Sequence, residues 1–224
     1  MIIGELKPLN EIAAKVQGYK RILVAGCGGC VTVCQTGGAA QAETLARLLA
    51  LTLDEPKTTV EWISPTRQCE WEFIEPLREQ VQNFDVVLSI ACGVGVQAVA
   101  ELLAGFPVLP GLNTTFMGMP VQPGQFEERC QACGDCILDL TAGICPVARC
   151  SKSLLNGPCG GSQNGKCEIS PDTPCAWQLI YERLELMGKL ENLEKLVLPR
   201  DWSRSRDGGP RRMVREDLSL DDEE

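Results

Sequence analysis

The order of apolar and polar positions divides the chain into two textures. Over residues 1–125, short apolar runs alternate with segments of helical spacing. Residues 22–25 (ILVA) form a continuous apolar run that ends at glycine, the pattern of a strand buried on both faces. Further strands are predicted at 58–63 (TTVEWI), 85–91 (DVVLSIA) and 106–109. Helices are predicted between them, over 38–53, where Leu45, Leu48, Leu49 and Leu53 fall near one face, and over about 70–82 and 94–104. Strand and helix alternating at this interval imply right-handed crossovers and a small doubly wound parallel sheet.

From Glu127 the periodicity disappears. Eight cysteines lie between Cys130 and Cys175, separated by Gly, Pro, Asn and Ser, a segment too poor in apolar residues to fold around a core of its own. An amphipathic helix is predicted over about 175–196, carried by Trp177, Ile180, Leu184, Met187 and Leu190. After Pro199 no period remains. The expected fold class is therefore α/β: a doubly wound sheet domain (1–125), an irregular cysteine-rich metal-cluster domain with a C-terminal helix (126–198), and an extended tail (199–224).

Composition sharpens this picture at two points. The chain has 13 cysteines and no histidine. Without histidine there is no Ser-His or Cys-His nucleophile pair and no mixed Cys/His zinc site, so any bound metal is held mainly by thiolate. The N-terminus MIIGELKPLNEIAAKV has no basic region followed by a long apolar run, and no stretch approaches the ~20 apolar residues that span a bilayer. A cytoplasmic location is expected, where thiols stay reduced, and the odd cysteine count also argues against a fully paired disulfide framework. A net charge of −9 argues against nucleic acid as a partner, although the tail is locally basic before its acidic end.

Two cysteine constellations carry the candidate chemistry. Cys27, Cys30 and Cys34 lie in GCGGCVTVC directly after the first apolar strand, where glycines let backbone amides approach a cluster closely. A fourth thiolate must come from elsewhere. Cys92 directly follows a strand whose C-terminal end shares the ligand-collecting edge of the sheet, and Cys69 could reach that edge on a longer loop. Cys92 needs less loop and is the expected ligand. Either residue could instead be a small buried hydrophobe. A dinucleotide fingerprint is a poor fit, because Val31 stands where the last glycine belongs.

The second constellation is Cys130, Cys133 and Cys136, then Cys145-Pro146, Cys150, Cys159, Cys167 and Cys175. Cys-x2-Cys-x2-Cys with a later Cys-Pro is a ferredoxin-like spacing, with eight residues rather than three before the Cys-Pro. Eight thiolates suffice for two four-ligand centres, and zinc at one of them remains open. The tail carries Trp202, Met213 and Val214 among Arg204, Arg206, Arg211, Arg212 and Arg215, a mixture of anchors and guanidinium groups common at interfaces.

The segments GCGGCVTVCQTGG, RQCEWEF, ACGVGVQ and, most specifically, CPVARCSKSLLNGPCGGSQNGKCE resemble the small iron–sulfur subunit of acetogen-type methylenetetrahydrofolate reductase. The resemblance extends over nearly the whole chain. It implies two [4Fe–4S] clusters, with cysteines enough for a third centre. It also implies a flavin-containing catalytic subunit as the partner that receives electrons, with room for a further redox complex as donor, and the composition of the tail leads us to expect it to dock on that subunit. On this expectation the chain is an electron-transfer subunit and not itself the site of substrate chemistry. The rival expectation is a zinc-stabilised scaffold subunit of an enzyme complex.

Overall fold

In the computed structural model, residues 1–53, 58–215 and 217 are described, so most of the acidic tail end (216 and 218–224) lies outside the described residues. The chain divides into two units, Met1–Glu127 and Glu128–Glu224.

In the first unit, β1 (Ile2–Leu6) and α1 (Leu9–Val16) precede β2 (Arg21–Ala25), the first of the expected strands. Then follow α2 (Cys30–Val33), α3 (Ala39–Thr52), β3 (Thr59–Ile63), α4 (Trp71–Ile74), α5 (Leu77–Gln80), β4 (Val86–Ser89), α6 (Gly93–Leu102) and β5 (Val108–Pro110). The strands β3-β2-β4-β5 form one sheet in that order, every neighbouring pair parallel. The chain thus leaves β2 for β3 on one side and returns to β4 on the other, which makes the β2/β4 boundary a topological switch point.

Alternation within the strands fills two cores. Ile22 and Val24 of β2, with Val86 and Leu88 of β4, pack against Ile12 and Val16 of α1 and against Leu45 and Leu49 of α3. Leu23 and Ala25, with Val87, face the other way onto Ile74, Leu77, Val99 and Leu102. Helices on both faces explain why these strands read as continuous apolar runs.

Several elements differ from expectation. The helix expected over 70–82 is two short helices and a 3-10 turn, because Pro76, which has no N–H to donate, stands between α4 and α5. A second sheet, order β1-β6-β7, is built from β1, β6 (Leu112–Gln122) and β7 (Gln125–Cys130). β1 runs antiparallel to β6, with an irregularity between Ile3 and Gly4. β6 and β7 form a hairpin whose turn uses Gly124 at φ +76°.

The second unit contains α7 (Pro146–Arg149) and α8 (Ala176–Leu186) among loops. α8 is shorter than the helix expected over 175–196. Gly188, at φ +63°, ends it in a Schellman motif, with Lys189 N–H donating to the Leu184 carbonyl (2.9 Å) and Gly188 N–H to that of Glu185 (3.0 Å). A 3-10 turn over Leu190–Glu194 follows. The unit also has a small apolar core that its sequence did not suggest, in which Trp177, Ile180 and Leu184 of α8 bury Ile144 and Cys175. Trp177 Nε1 donates to the Leu154 carbonyl at 3.0 Å.

Candidate metal centre

Five thiols of the first unit belong to loops that leave the C-terminal ends of β2, β3 and β4. Cys27 lies two residues beyond β2, Cys30 opens α2, Cys34 caps its C-terminal end, and Cys92 caps the N-terminal end of α6. The loop after β2 is pulled tight by the Cys27 N–H donating to the Gly37 carbonyl (2.8 Å) and Thr32 Oγ1 to the Cys27 carbonyl (2.7 Å).

Gly37 makes this closure possible. A methyl group there would overlap the Ile90 carbonyl oxygen and stand 2.8 Å from Val31 Cγ2. Gly37→Ala should therefore push the thiol loop off the end of β4 and destabilise the first unit by about 2 kcal/mol. Equilibrium urea unfolding checks this, and a wild-type midpoint would contradict it.

The switch point brings Cys27 and Cys92 together, packed with Val31, Ala91 and Leu112. Cys69 joins them: desolvation, followed by the neighbouring Cys27 and Cys92 thiols, raises its pKa above the ordinary thiol value. Both candidates for the fourth position are thus beside Cys27. Cys30 and Cys34 stand at the two ends of α2, close enough that Cys30 acts on the Cys34 thiol, which donates to the Ile2 carbonyl of β1 at 3.6 Å. Burial pushes the Cys34 thiol up.

A buried glutamine that the sequence did not single out ties these loops together. Gln68 is 0% exposed, and its Nε2 donates to the carbonyls of Ala25 (3.0 Å) and Gly26 (2.7 Å) at the end of β2. Its Oε1 accepts from Ser89 Oγ (2.7 Å) at the end of β4. Gln68 thus ties the loop that follows β3 to the ends of β2 and β4, from the position next to Cys69.

In the second unit, Cys130, Cys133 and Cys136 share a tight loop in which Ala132 (φ +50°) and Gly134 (φ +85°) are both left-handed. The Ala132 N–H donates to Cys130 Sγ at 3.3 Å. Cys145 caps the N-terminal end of α7, with Pro146 as the first helical residue. Cys150, Cys159, Cys167 and Cys175 line a single cavity under Trp177. Cys167 Sγ lies 3.4 Å from Ser151 Oγ, and that hydrogen bond is the first cause of its lowered pKa.

This donor set is all thiolate, which suits iron–sulfur clusters or zinc. Among the described residues no three Cys, Asp or Glu side chains converge on one metal-ion position. A cubane, however, takes its thiolates at separate iron corners and does not require them around one point. Arg200 Nε supplies a further sign of fit, as a buried donor without an acceptor in a segment that faces cysteine sulfur.

Residues 109–203, which contain all eight of these second-constellation cysteines, match the family described as Methylene-tetrahydrofolate reductase C terminal. The match covers 95 of the 224 residues, so the similarity is that of this segment alone. No curated protein matches the chain. Among solved structures it is similar to an extracellular ligand-binding receptor from Verminephrobacter eiseniae, at 13% identity and a TM-score of 0.35 over 46% of this chain. The aligned region is 28% of the receptor chain, a likeness too slight to assign fold or function. No helix among the described residues is long and apolar enough to cross a membrane.

Proposed function

We propose that this chain is the iron–sulfur electron-transfer subunit of a methylenetetrahydrofolate reductase, delivering electrons to the flavin of a separate catalytic subunit. The observation that carries this reading is the cavity lined by Cys150, Cys159, Cys167 and Cys175, four thiolates inside the family-matched segment. Cys130, Cys133 and Cys136, with Cys145 as the distal thiolate, would hold one [4Fe–4S] cluster and the cavity cysteines another. Cys27, Cys30 and Cys34 with Cys92 or Cys69 would hold a third centre. Bound clusters supply one-electron transfer, and the reading places the chain in the reducing cytoplasm.

The chain's own residues hold and orient these thiolates. Gln68 fixes the strand ends beneath Cys27, Cys69 and Cys92, and Ser151 bonds to Cys167. In the tail, the anchors Met213 and Val214 remain 85% and 64% exposed, available to the catalytic partner.

Anaerobically purified chain should be brown, contain iron and sulfide, and on reduction pass electrons to the flavin of the catalytic subunit. Replacing Cys159 or Cys167 by Ser should remove about one cluster's iron. Iron-free protein, or reduced protein that leaves the partner's flavin oxidised, would refute the proposal.

One observation favours zinc at the cavity cysteines. The four lining cysteines, with no histidine in the chain, are the all-thiolate set of a closed tetrahedral zinc site. Colourless protein with stoichiometric zinc would establish that second reading, a structural scaffold.

A further inference from the structure

The C-terminal segment that follows α8 turns back onto the first thiols of its own unit. Arg200 Nη2 donates to Cys133 Sγ at 2.9 Å and also to the Asp135 carbonyl of the same loop. The guanidinium lies over the Trp202 ring, 5.1 Å from its centroid, which holds the plane of its donors toward the loop. Farther along, Arg211 Nη1 donates to the Ala132 carbonyl (2.5 Å) and to the Arg204 carbonyl (3.3 Å). Between these points Ser205 is 4% exposed and locks a turn, its Oγ accepting from the Asp207 N–H (3.1 Å) and lying within donating distance of the Trp202 carbonyl (2.7 Å) and Asp207 Oδ2 (2.8 Å), which share its one proton.

The contact is specific on the loop side as well. Gly134 lies so close to the Arg204 carbonyl that a methyl group there would overlap it, and its φ of +85° favours glycine independently. Two arginines therefore engage a seven-residue loop, Cys130 to Cys136, that carries three thiols and one carboxylate, Asp135. Arg200 reaches a thiol sulfur itself, and its Nε is buried without an acceptor.

We infer that residues 200–211 form an intramolecular strap whose Arg200 is a positioning residue for the Cys133 thiolate, raising the reduction potential of the cluster held by the Cys130–Cys136 loop. The inference rests on the electron-transfer reading above. A fixed positive charge that donates a hydrogen bond to a ligating sulfur stabilises the more negative, reduced state over the oxidised one. Arg200 is suited to this because its guanidinium keeps its charge at any physiological pH and presents several donors in one plane. The strap also covers one side of a loop whose Cys130 and Cys136 are otherwise exposed.

The test uses the full chain purified anaerobically, with iron and sulfide analysis and a redox titration followed by electron paramagnetic resonance. In Arg200→Ala, one cluster signal should shift its reduction equilibrium about tenfold toward the oxidised form, equivalent to ~59 mV for one electron. Arg200→Lys, which keeps the charge but loses the planar fork, should fall between that variant and wild type. Arg206→Ala, which removes an equal charge from the same segment, should leave the potentials unchanged. Should Arg200→Ala lose its iron, Arg200→Lys still decides the matter. Wild-type chain without iron would refute the electron-transfer reading and this inference with it. Iron at wild-type levels with every potential unchanged in Arg200→Ala and Arg200→Lys would overturn the inference alone, as would an equal shift in Arg206→Ala.

Discussion

Removing bound metal should open residues 128–175 to protease at least about a hundredfold faster while Met1–Glu127 stays intact. The asymmetry follows from how the two units are built. Among the described residues the first unit has two cores, of eleven and nine buried residues, on opposite faces of a parallel sheet, and a third buried cluster of four at the strand ends. The second unit has one core of five, most of it contributed by α8. The loops from Cys130 to Cys175 connect to that core through a few bonds, such as Trp177 Nε1 to the Leu154 carbonyl and Arg183 Nη1 to the Ala142 carbonyl (3.2 Å). Such sparse burial cannot offset the conformational entropy of ordering so long a segment. Metal–thiolate bonds would have to supply the difference, so their loss is loss of folding free energy for this unit. Limited proteolysis with mass-spectrometric mapping, before and after chelation, measures it directly. Undiminished protection of 128–175 in metal-free protein would show that the loops fold without metal.

The second large effect is expected at Gln68. Gln68→Ala should destabilise the first unit by about 3 kcal/mol. The Gly26 carbonyl and Ser89 Oγ would each lose a buried partner, and the cavity left behind would separate loops that now meet. The Ala25 carbonyl suffers less, because it also accepts from the Ile90 N–H (2.9 Å). Gln68→Glu tests the chemistry rather than the volume. It replaces the Nε2 donor by an acceptor facing two carbonyl oxygens, and should cost at least as much as Gln68→Ala. Urea unfolding with hydrogen exchange mapped on β2 and β4 gives both values. Stability within about 0.5 kcal/mol of wild type in both variants would mean that the clamp contributes nothing.

How far these features were legible depends on how local their causes are. Strands β2 and β4 could be read from short apolar runs because helices cover both faces of the sheet there and select apolar side chains at successive positions. β6 could not: it presents Asn113, Thr114 and Thr115 to solvent and buries little beyond Leu112 and Gly118, so its periodicity is weak. β1 needs β6 as its partner, with Met1 and Met117 regions meeting across more than a hundred residues of chain. The break at Pro76 follows from a local rule about a missing N–H, yet the amphipathic pattern around it concealed the stop.

The same division runs through the candidate centre. Residue types and spacing alone determined that any metal bound by this chain would meet mainly thiolate donors, that the cysteines fall into two groups, and that Cys27 and Cys92 would share a sheet edge. That last point follows because the C-terminal ends of parallel strands lie along one edge whatever the side chains are. Only the tertiary structure decided that Cys69 stands beside them, that Cys150, Cys159, Cys167 and Cys175 share one cavity, and that Gln68 and Arg200 reach the thiol loops. The physical reason is range. Secondary structure and strand order respond to patterns a few residues long, whereas a hydrogen bond between residues 67 positions apart, as between Cys133 and Arg200, exists only after the chain has folded back on itself.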